Sequence, residues 1–295
     1  MHKQWQALAE QIQAATGAAF NIVATHAVGG GDINTAIHLQ GQHKSYFVKL
    51  NQRHLASMFA AEFAGLQEMA ALKVIRVPQP IATGQTEAQA FIVLEHIEFG
   101  GSNATSARLL GQQLALMHQA VQPFYGWHRQ NTIGSTPQIN TQSEDWVSFW
   151  REQRLGFQLN LAKSKGYGGR LQSTGERLCE QLAAFFDNYK PQPSLLHGDL
   201  WGGNAAYDRQ GNPVIFDPAC YYGDRETDLA MTELFGGFGK DFFAAYNDFS
   251  SLDAGYGTRK TLYNLYHILN HLNLFGGGYL SQAESMIARL LAELK

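Results

Sequence analysis

An aspartate, an asparagine five residues later and a second aspartate beyond a short apolar run are the residues of this chain best suited to chemistry. They stand in "LLHGDLWGGN", Leu195 to Asn204, and "VIFDPA", Val214 to Ala219. A loop aspartate can accept a hydrogen bond from an attacking hydroxyl and take its proton. An asparagine oxygen and a second carboxylate can hold a divalent cation. Phosphoryl transfer divides its labour in this way. Asp199 is the candidate base; Asn204 and Asp217 are the candidate metal ligands. Asp, Gly and Asn also favour ordinary turns, but all three features at this spacing favour the chemical reading.

Phosphates need a cation and close backbone approach. Lys49 in "SYFVKL" follows "VGGGDIN", Val28 to Asn34, by the length of a hairpin. Gly29, Gly30 and Gly31 let backbone N–H groups come near phosphate oxygens. Lys49 needs an acidic partner to fix it, and the next helix offers one. Leu55, Met58, Phe59, Leu66 and Met69 form an apolar stripe with Glu62 in its middle. A carboxylate facing a core is costly unless a cation meets it, so Glu62 is expected to pair with Lys49.

The elements that must position these residues fall into two halves. From about Phe20 to Leu94 short β-like runs alternate with Gly-rich or polar turns, interrupted by one helix near 54–72. The run "FIVLEHIE" ends this half as a buried strand and linker, where backbone groups of Glu95 and Ile97 could also pair with an adenine. After "IEFGGSN" the pattern turns helical, near 104–120, 145–162, 174–188, 225–235, 239–249, 259–275 and 280–294. Two β-like segments, "NAAYD" and "PVIFD", joined by "RQGN", form a hairpin that brings Asn204 and Asp217 near each other. The expected domains are 1–97, an ATP-binding lobe, and 98–295, a catalytic and substrate lobe.

Composition excludes other classes. The chain has 295 residues, 45% apolar and 16% charged, with net charge −3, which suits a globular protein and not a nucleic-acid binder. Two cysteines argue against a disulfide framework. The N-terminal segment, with Lys3, Glu10 and several Gln, reads as an amphipathic helix and not as a signal peptide. No run of eighteen apolar residues occurs, so no membrane span and a cytoplasmic location are expected.

Several conspicuous residues read as structural. His267 and His271 stand at i, i+4 without the Glu of zinc proteases or an evident third ligand, which points to a packed helix. His118 complements a helix C-terminus, Cys220 is a small packed residue, and Asp228 in "RETDLAM" is an anchor near the catalytic loop.

The constellation resembles the protein-kinase-like fold, and within it the fructosamine kinase (ketosamine-3-kinase) family. The resemblance rests on "VGGGDIN", "FVKLN", "VPQPIATG", "VLEHI", "NTIGSTPQIN", "LLHGDLWGGN" and "VIFDPACYYGDRETDLAM". It implies an α+β, bilobal architecture: a small sheet-plus-helix lobe and a larger, mainly helical one. It further implies ATP and Mg²⁺ as cofactors, with Asp199 as base for the 3-hydroxyl of a ketoamine. Asn204 and Asp217 would hold the metal, Lys49 with Glu62 the phosphates, and Glu95, His96 and Ile97 the adenine site. The substrate would be a fructosyl or ribulosyl amine, free or as a glycated protein lysine, and the outcome deglycation. Trp201, Trp127, Asn131 and Gln138 are the candidate substrate contacts, the last three on the long segment "GWHRQNTIGSTPQIN". The alternatives are a kinase of another small hydroxylated metabolite, of choline or aminoglycoside type, and a nucleotide-binding module without catalysis.

Overall fold

Alternation of apolar and polar residues shapes the first part of the chain. In the computed structural model, which describes residues 3–29 and 33–294, helix α1 (Lys3–Thr16) precedes strands β1 (Ile22–Val28), β2 (Thr35–Gly41) and β3 (Ser45–Gln52). Helix α2 (Ala56–Leu72) follows, then β4 (Pro80–Gln85) and β5 (Gln89–Glu95). The five strands form one antiparallel sheet in the order β1-β2-β3-β5-β4. Ile37, Leu39, Tyr46, Val48, Leu50, Phe91 and Val93 pack with Leu8 and Ile12 of α1 in one core. Each such buried aliphatic side chain contributes about 1.5–3 kcal/mol. This core fixes the register, because a one-residue slip of β3 would turn Lys49 into it and Val48 and Leu50 out. Successive side chains alternate faces, so Lys49 projects from the sheet face opposite α1.

The helix expected near 54–72 is α2, preceded by a 3-10 turn at Arg53–Leu55. Strand β4 has no counterpart in the sequence reading. It lies at the sheet edge, where Pro80 and Gly84 are tolerated and an alternating pattern is weak.

The rest of the chain is mainly helical. Its elements are α3 (Ala104–Met117), the pair β6 (Asn131–Ile133) and β7 (Thr136–Gln138), α4 (Trp146–Trp150), α5 (Phe157–Ser164) and α6 (Arg170–Glu180). Strand β8 (Ser194–Leu196) is followed by the hairpin β9 (Ala205–Tyr207) and β10 (Pro213–Ile215), then β11 (Tyr221–Gly223), which pairs back with β8. Helices α7 (Glu226–Leu234), α8 (Lys240–Phe249), α9 (Tyr256–Phe275) and α10 (Leu280–Glu293) complete it. The helix read over 145–162 is split by a π turn at Arg151–Gly156, and the one read over 174–188 divides into α6 and a 3-10 turn at Leu182–Phe186. Helix α9 is buried almost all round, from Leu262 to Asn270, and packs against α5, α7 and α10.

Contacts group the chain into two units. One comprises the residues up to Ser106 together with Ala206–Pro218; the other comprises Ala107–Ala205 and the chain from Ala219 on. Among the described residues no helix is long and apolar enough to cross a membrane.

Candidate active site

In the first unit, Lys49 is 5% exposed and its Nζ lies 2.7 Å from Glu62 Oε1. The pairing expected from the apolar stripe is therefore present: Met58, Phe59, Leu66 and Met69 are buried, and the Glu62 carboxylate among them meets the cation. Lys49 also bonds Asp217. Burial disfavours the charged amine, but Asp217 and Glu62 outweigh it and raise the pKa of Lys49. Burial raises the pKa of Glu62; Lys49 opposes this and Asp217 adds to it. The Asp217 side chain is 42% exposed against 7% for Lys49, so this carboxylate is the accessible member of the three. Its backbone is held at φ 60°, in the left-handed region, a conformation that costs on the order of 1 kcal/mol or more for a non-glycine residue. Such a cost is borne where surrounding structure demands it, often at functional sites.

The residues expected to line an adenine site lie in the same unit. The Glu95 N–H donates to the Gln79 carbonyl, and its carboxylate pairs with Arg76 at 2.8 Å. Arg76 also reaches Asp208 at 2.6 Å, tying β5 to the β9–β10 hairpin. His96 stacks on His38 with ring centroids 4.0 Å apart, and burial followed by His38 lowers its pKa. Ile97 is buried. No atom of the described residues lies within 4 Å of where a Gly29 Cβ would be; Gly30 and Gly31 lie outside the described residues.

In the second unit, β8 delivers the loop that carries Asp199. The Asp228 carboxylate on α7 accepts the N–H groups of His197 at 2.7 Å and Gly198 at 2.8 Å. It also meets His118 Nε2 at 3.1 Å. Burial pushes the pKa of Asp228 up, yet these partners hold it below the usual carboxylate value. Asp228 thus anchors the loop, as its sequence context suggests. His118 does more than complement a helix end: its Nδ1 lies 2.8 Å from the Tyr246 hydroxyl, so it buttresses Asp228. The sequence carries no local sign of this, because the partners lie 110 and 128 positions away.

Asp199 is half-buried. Asn204 donates its Nδ2 to the Asp199 carbonyl at 2.9 Å and to Asp199 Oδ2 at 3.3 Å, leaving the amide oxygen as the group it can offer a cation. Trp201 is 40% exposed and meets the ring of Phe235 edge-on at 6.4 Å. Glycines permit this. A Cβ on Gly203 would sit 2.3 Å from the indole, and one on Gly237 would sit 2.7 Å from the Gly202 Cα.

Of the other candidate substrate contacts, Trp127 and Gln138 are buried and Asn131 is half-buried. Trp127 is 3% exposed. Gln138 is 1% exposed, and both ends of its amide are bonded within the fold. Asn131 donates to the Cys220 carbonyl at 2.7 Å. Trp127 and Gln138 are thus buried, and the amides of Gln138 and Asn131 are engaged within the fold. His267 is buried, Cys220 is buried, and the described residues contain no group of three or more His, Cys, Asp or Glu placed to hold a metal ion. The carboxylate of Asp217 in the first unit and the amide oxygen of Asn204 in the second are, each by itself, hard donors. They suit Mg²⁺, which is commonly held by one or two carboxylates plus substrate phosphates and water.

A profile of the fructosamine kinase family matches residues 4–293. The chain belongs to this family. Relatives in the family include a "Probable ketoamine kinase" of Synechocystis sp., 47% identical and covering 97% of both chains. Another is the chloroplastic protein-ribulosamine 3-kinase of Arabidopsis thaliana, 46% identical over 95% of this chain and 86% of the relative. A crystal structure of a candidate fructosamine-3-kinase from Haemophilus somnus superposes with a TM-score of 0.89 at 29% identity over 97% of both chains. The ADP-bound aminoglycoside phosphotransferase APH(2'')-Ib shares the fold alone, with a TM-score of 0.65 and 13% identity over 98% of both chains. The family fold is thus the α+β, bilobal, protein-kinase-like one.

Proposed function

We propose that the protein is an ATP-dependent ketoamine 3-kinase that transfers the γ-phosphoryl group to the 3-hydroxyl of a fructosamine or ribulosamine. The observation that carries this reading is the buried Lys49 held between Glu62 and Asp217, in a chain that belongs to the fructosamine kinase family. A lysine so fixed presents one charge at one place, as the α- and β-phosphates require. The first 97 residues would take the nucleotide, with Gly29, Gly30 and Gly31 near its phosphates and Glu95, His96 and Ile97 near its base. The remainder would take the acceptor.

Asp199 orients the 3-hydroxyl and accepts its proton as the O–P bond forms. Asn204 keeps the Asp199 carboxylate in place through its amide nitrogen and offers its oxygen, with Asp217, to Mg²⁺. Held by Asn204 and Asp217, Mg²⁺ would supply positive charge against the negative charge of the transferring phosphoryl group. Trp201 presents an exposed aromatic face beside Asp199, suited to an apolar face of the sugar.

The product chemistry follows from the acceptor. A phosphate on C3 stands next to the C2 carbonyl, so enolisation toward C1 expels it. Hydrolysis at C1 then frees the amine, which makes the reaction a deglycation. The acceptor is a free ketoamine or one on a glycated protein lysine, and the setting is cytoplasmic.

Incubation with ATP, Mg²⁺ and ribulosamine, fructosamine, choline or an aminoglycoside tests the substrate class. ADP release with the two ketoamines alone is expected. Release with choline or the aminoglycoside alone would overturn the assignment.

A further inference from the structure

The segment from Gly126 to Asn140 spends its side-chain amides on the fold, and one of them reaches the chain just beyond Asp217. The Oε1 of Gln138 accepts from the Tyr266 hydroxyl at 2.8 Å, which fixes the orientation of the amide. Its two N–H groups then point to Asn131 Oδ1 at 2.9 Å and to the Ala219 carbonyl at 3.0 Å. Asn131 in turn donates to the carbonyl of Cys220. Behind them, Asn140 donates to Asn131 Oδ1 at 2.8 Å and accepts from Arg154 Nη2 at 2.8 Å. Arg154 is fully buried, its guanidinium 4.1 Å from the centre of the Tyr221 ring.

The Ala219 backbone is therefore held at both its N–H and its carbonyl. Its N–H donates to the His197 carbonyl at 2.9 Å, and its carbonyl receives Gln138. Gly198, at φ 81°, leaves no slack: a Cβ there would stand 2.1 Å from the Ala219 oxygen. Ala219 follows Asp217 by two residues, and His197 precedes Asp199 by two. A hydrophobic side chain of similar volume would fill the same space without the cost of desolvating an amide. A fully satisfied buried amide fixes geometry as well as filling volume.

We propose that Gln138, oriented by Tyr266, is a positioning residue for phosphoryl transfer: it holds the Ala219 peptide, and with it the backbone that follows Asp217, in fixed relation to the loop that carries Asp199. The proposal rests on the kinase reading above. It also gives the "STPQIN" segment a role inside the fold.

The test compares the unsubstituted protein with Gln138→Leu and Tyr266→Phe. Calorimetry measures ADP binding with Mg²⁺ and with EDTA, alongside steady-state kinetics. Partners behind metal ligands typically affect affinity or activity by about 10–100-fold. For Gln138→Leu, Mg²⁺-dependent ADP affinity and kcat should each fall by about tenfold or more on that scale. ADP binding in EDTA and the ketoamine KM should stay within about twofold, a difference of only ~0.4 kcal/mol.

Tyr266→Phe keeps the ring over Arg154 and should show the same pattern, more weakly. The double variant should be no worse than Gln138→Leu alone, because both act on one amide. A folded Gln138→Leu with unchanged Mg²⁺ dependence would overturn the proposal, as would a rise in ketoamine KM alone. If Gln138→Leu does not fold, Tyr266→Phe decides by the same readings. Absence of Mg²⁺-dependent ADP binding in the unsubstituted protein would overturn the kinase reading itself, and the proposal with it.

Discussion

Lys49 is a buried cation whose two carboxylate neighbours differ in what they can do: Glu62 is enclosed, and Asp217 is open to a ligand. Changing Glu62→Gln keeps the shape and removes one charge. The lysine then has Asp217 as its only ionic partner among the described residues, and it is drawn away from the phosphates. We expect kcat/KM for ATP to fall by about tenfold or more, a loss of ~1.4 kcal/mol; steady-state kinetics at varied ATP measures it, and an unchanged value would contradict the role. Asp199→Ala should lower turnover by about 10²–10⁴-fold, the range of general base catalysis. Calorimetric ADP affinity should move only a few-fold, since the role proposed for the aspartate is on the acceptor. Glu62 was legible in the sequence because a carboxylate stranded on an apolar stripe demands a cation. Gln138 was not, because an amide in a polar-looking segment gives no sign of being 1% exposed.

At the scale of elements, the loop after β8 depends on α7. Asp228→Ala would strip acceptors from the His197 and Gly198 amides and remove the partner of His118, all of them buried. Unsatisfied buried donors cost on the order of 1–3 kcal/mol each. A loss of about 3 kcal/mol or more should appear as a lower urea midpoint, and an unchanged midpoint would contradict the anchoring role. Long helices and the β1–β3 and β5 strands follow directly from periodicity. The elements that escaped are short or atypical. Strands β8 and β11 have three residues each, too few to show a period, and β4 carries Pro80 and Gly84. The π turn at Arg151–Gly156 continues a helical pattern while changing its phase, and it carries Arg154, which is buried under aromatic rings.

At the scale of the whole molecule, stability should depend on pH through His267. Burial, followed by His271, pushes its pKa from 6.5 down to about 3. The folded protein therefore binds fewer protons than the unfolded chain between these values. This contribution is fully present above pH 6.5 and is lost as pH falls toward about 3, by up to ~1.4 kcal/mol per pH unit. Unfolding measured by denaturant across that window should show this slope, and His267→Gln should flatten it; an identical slope in the variant would contradict the assignment.

Transfer of phosphate to the 3-hydroxyl of a ketoamine is read from the position of the phosphate in the product. Ribulosamine or fructosamine is incubated with the protein, ATP and Mg²⁺ and followed by ³¹P and ¹³C NMR. A phosphorus coupling to C3 should appear first, followed by inorganic phosphate and free amine as the 3-phosphate decomposes. A stable product phosphorylated at another carbon, or no phosphorylated ketoamine while ATP is consumed, would contradict it.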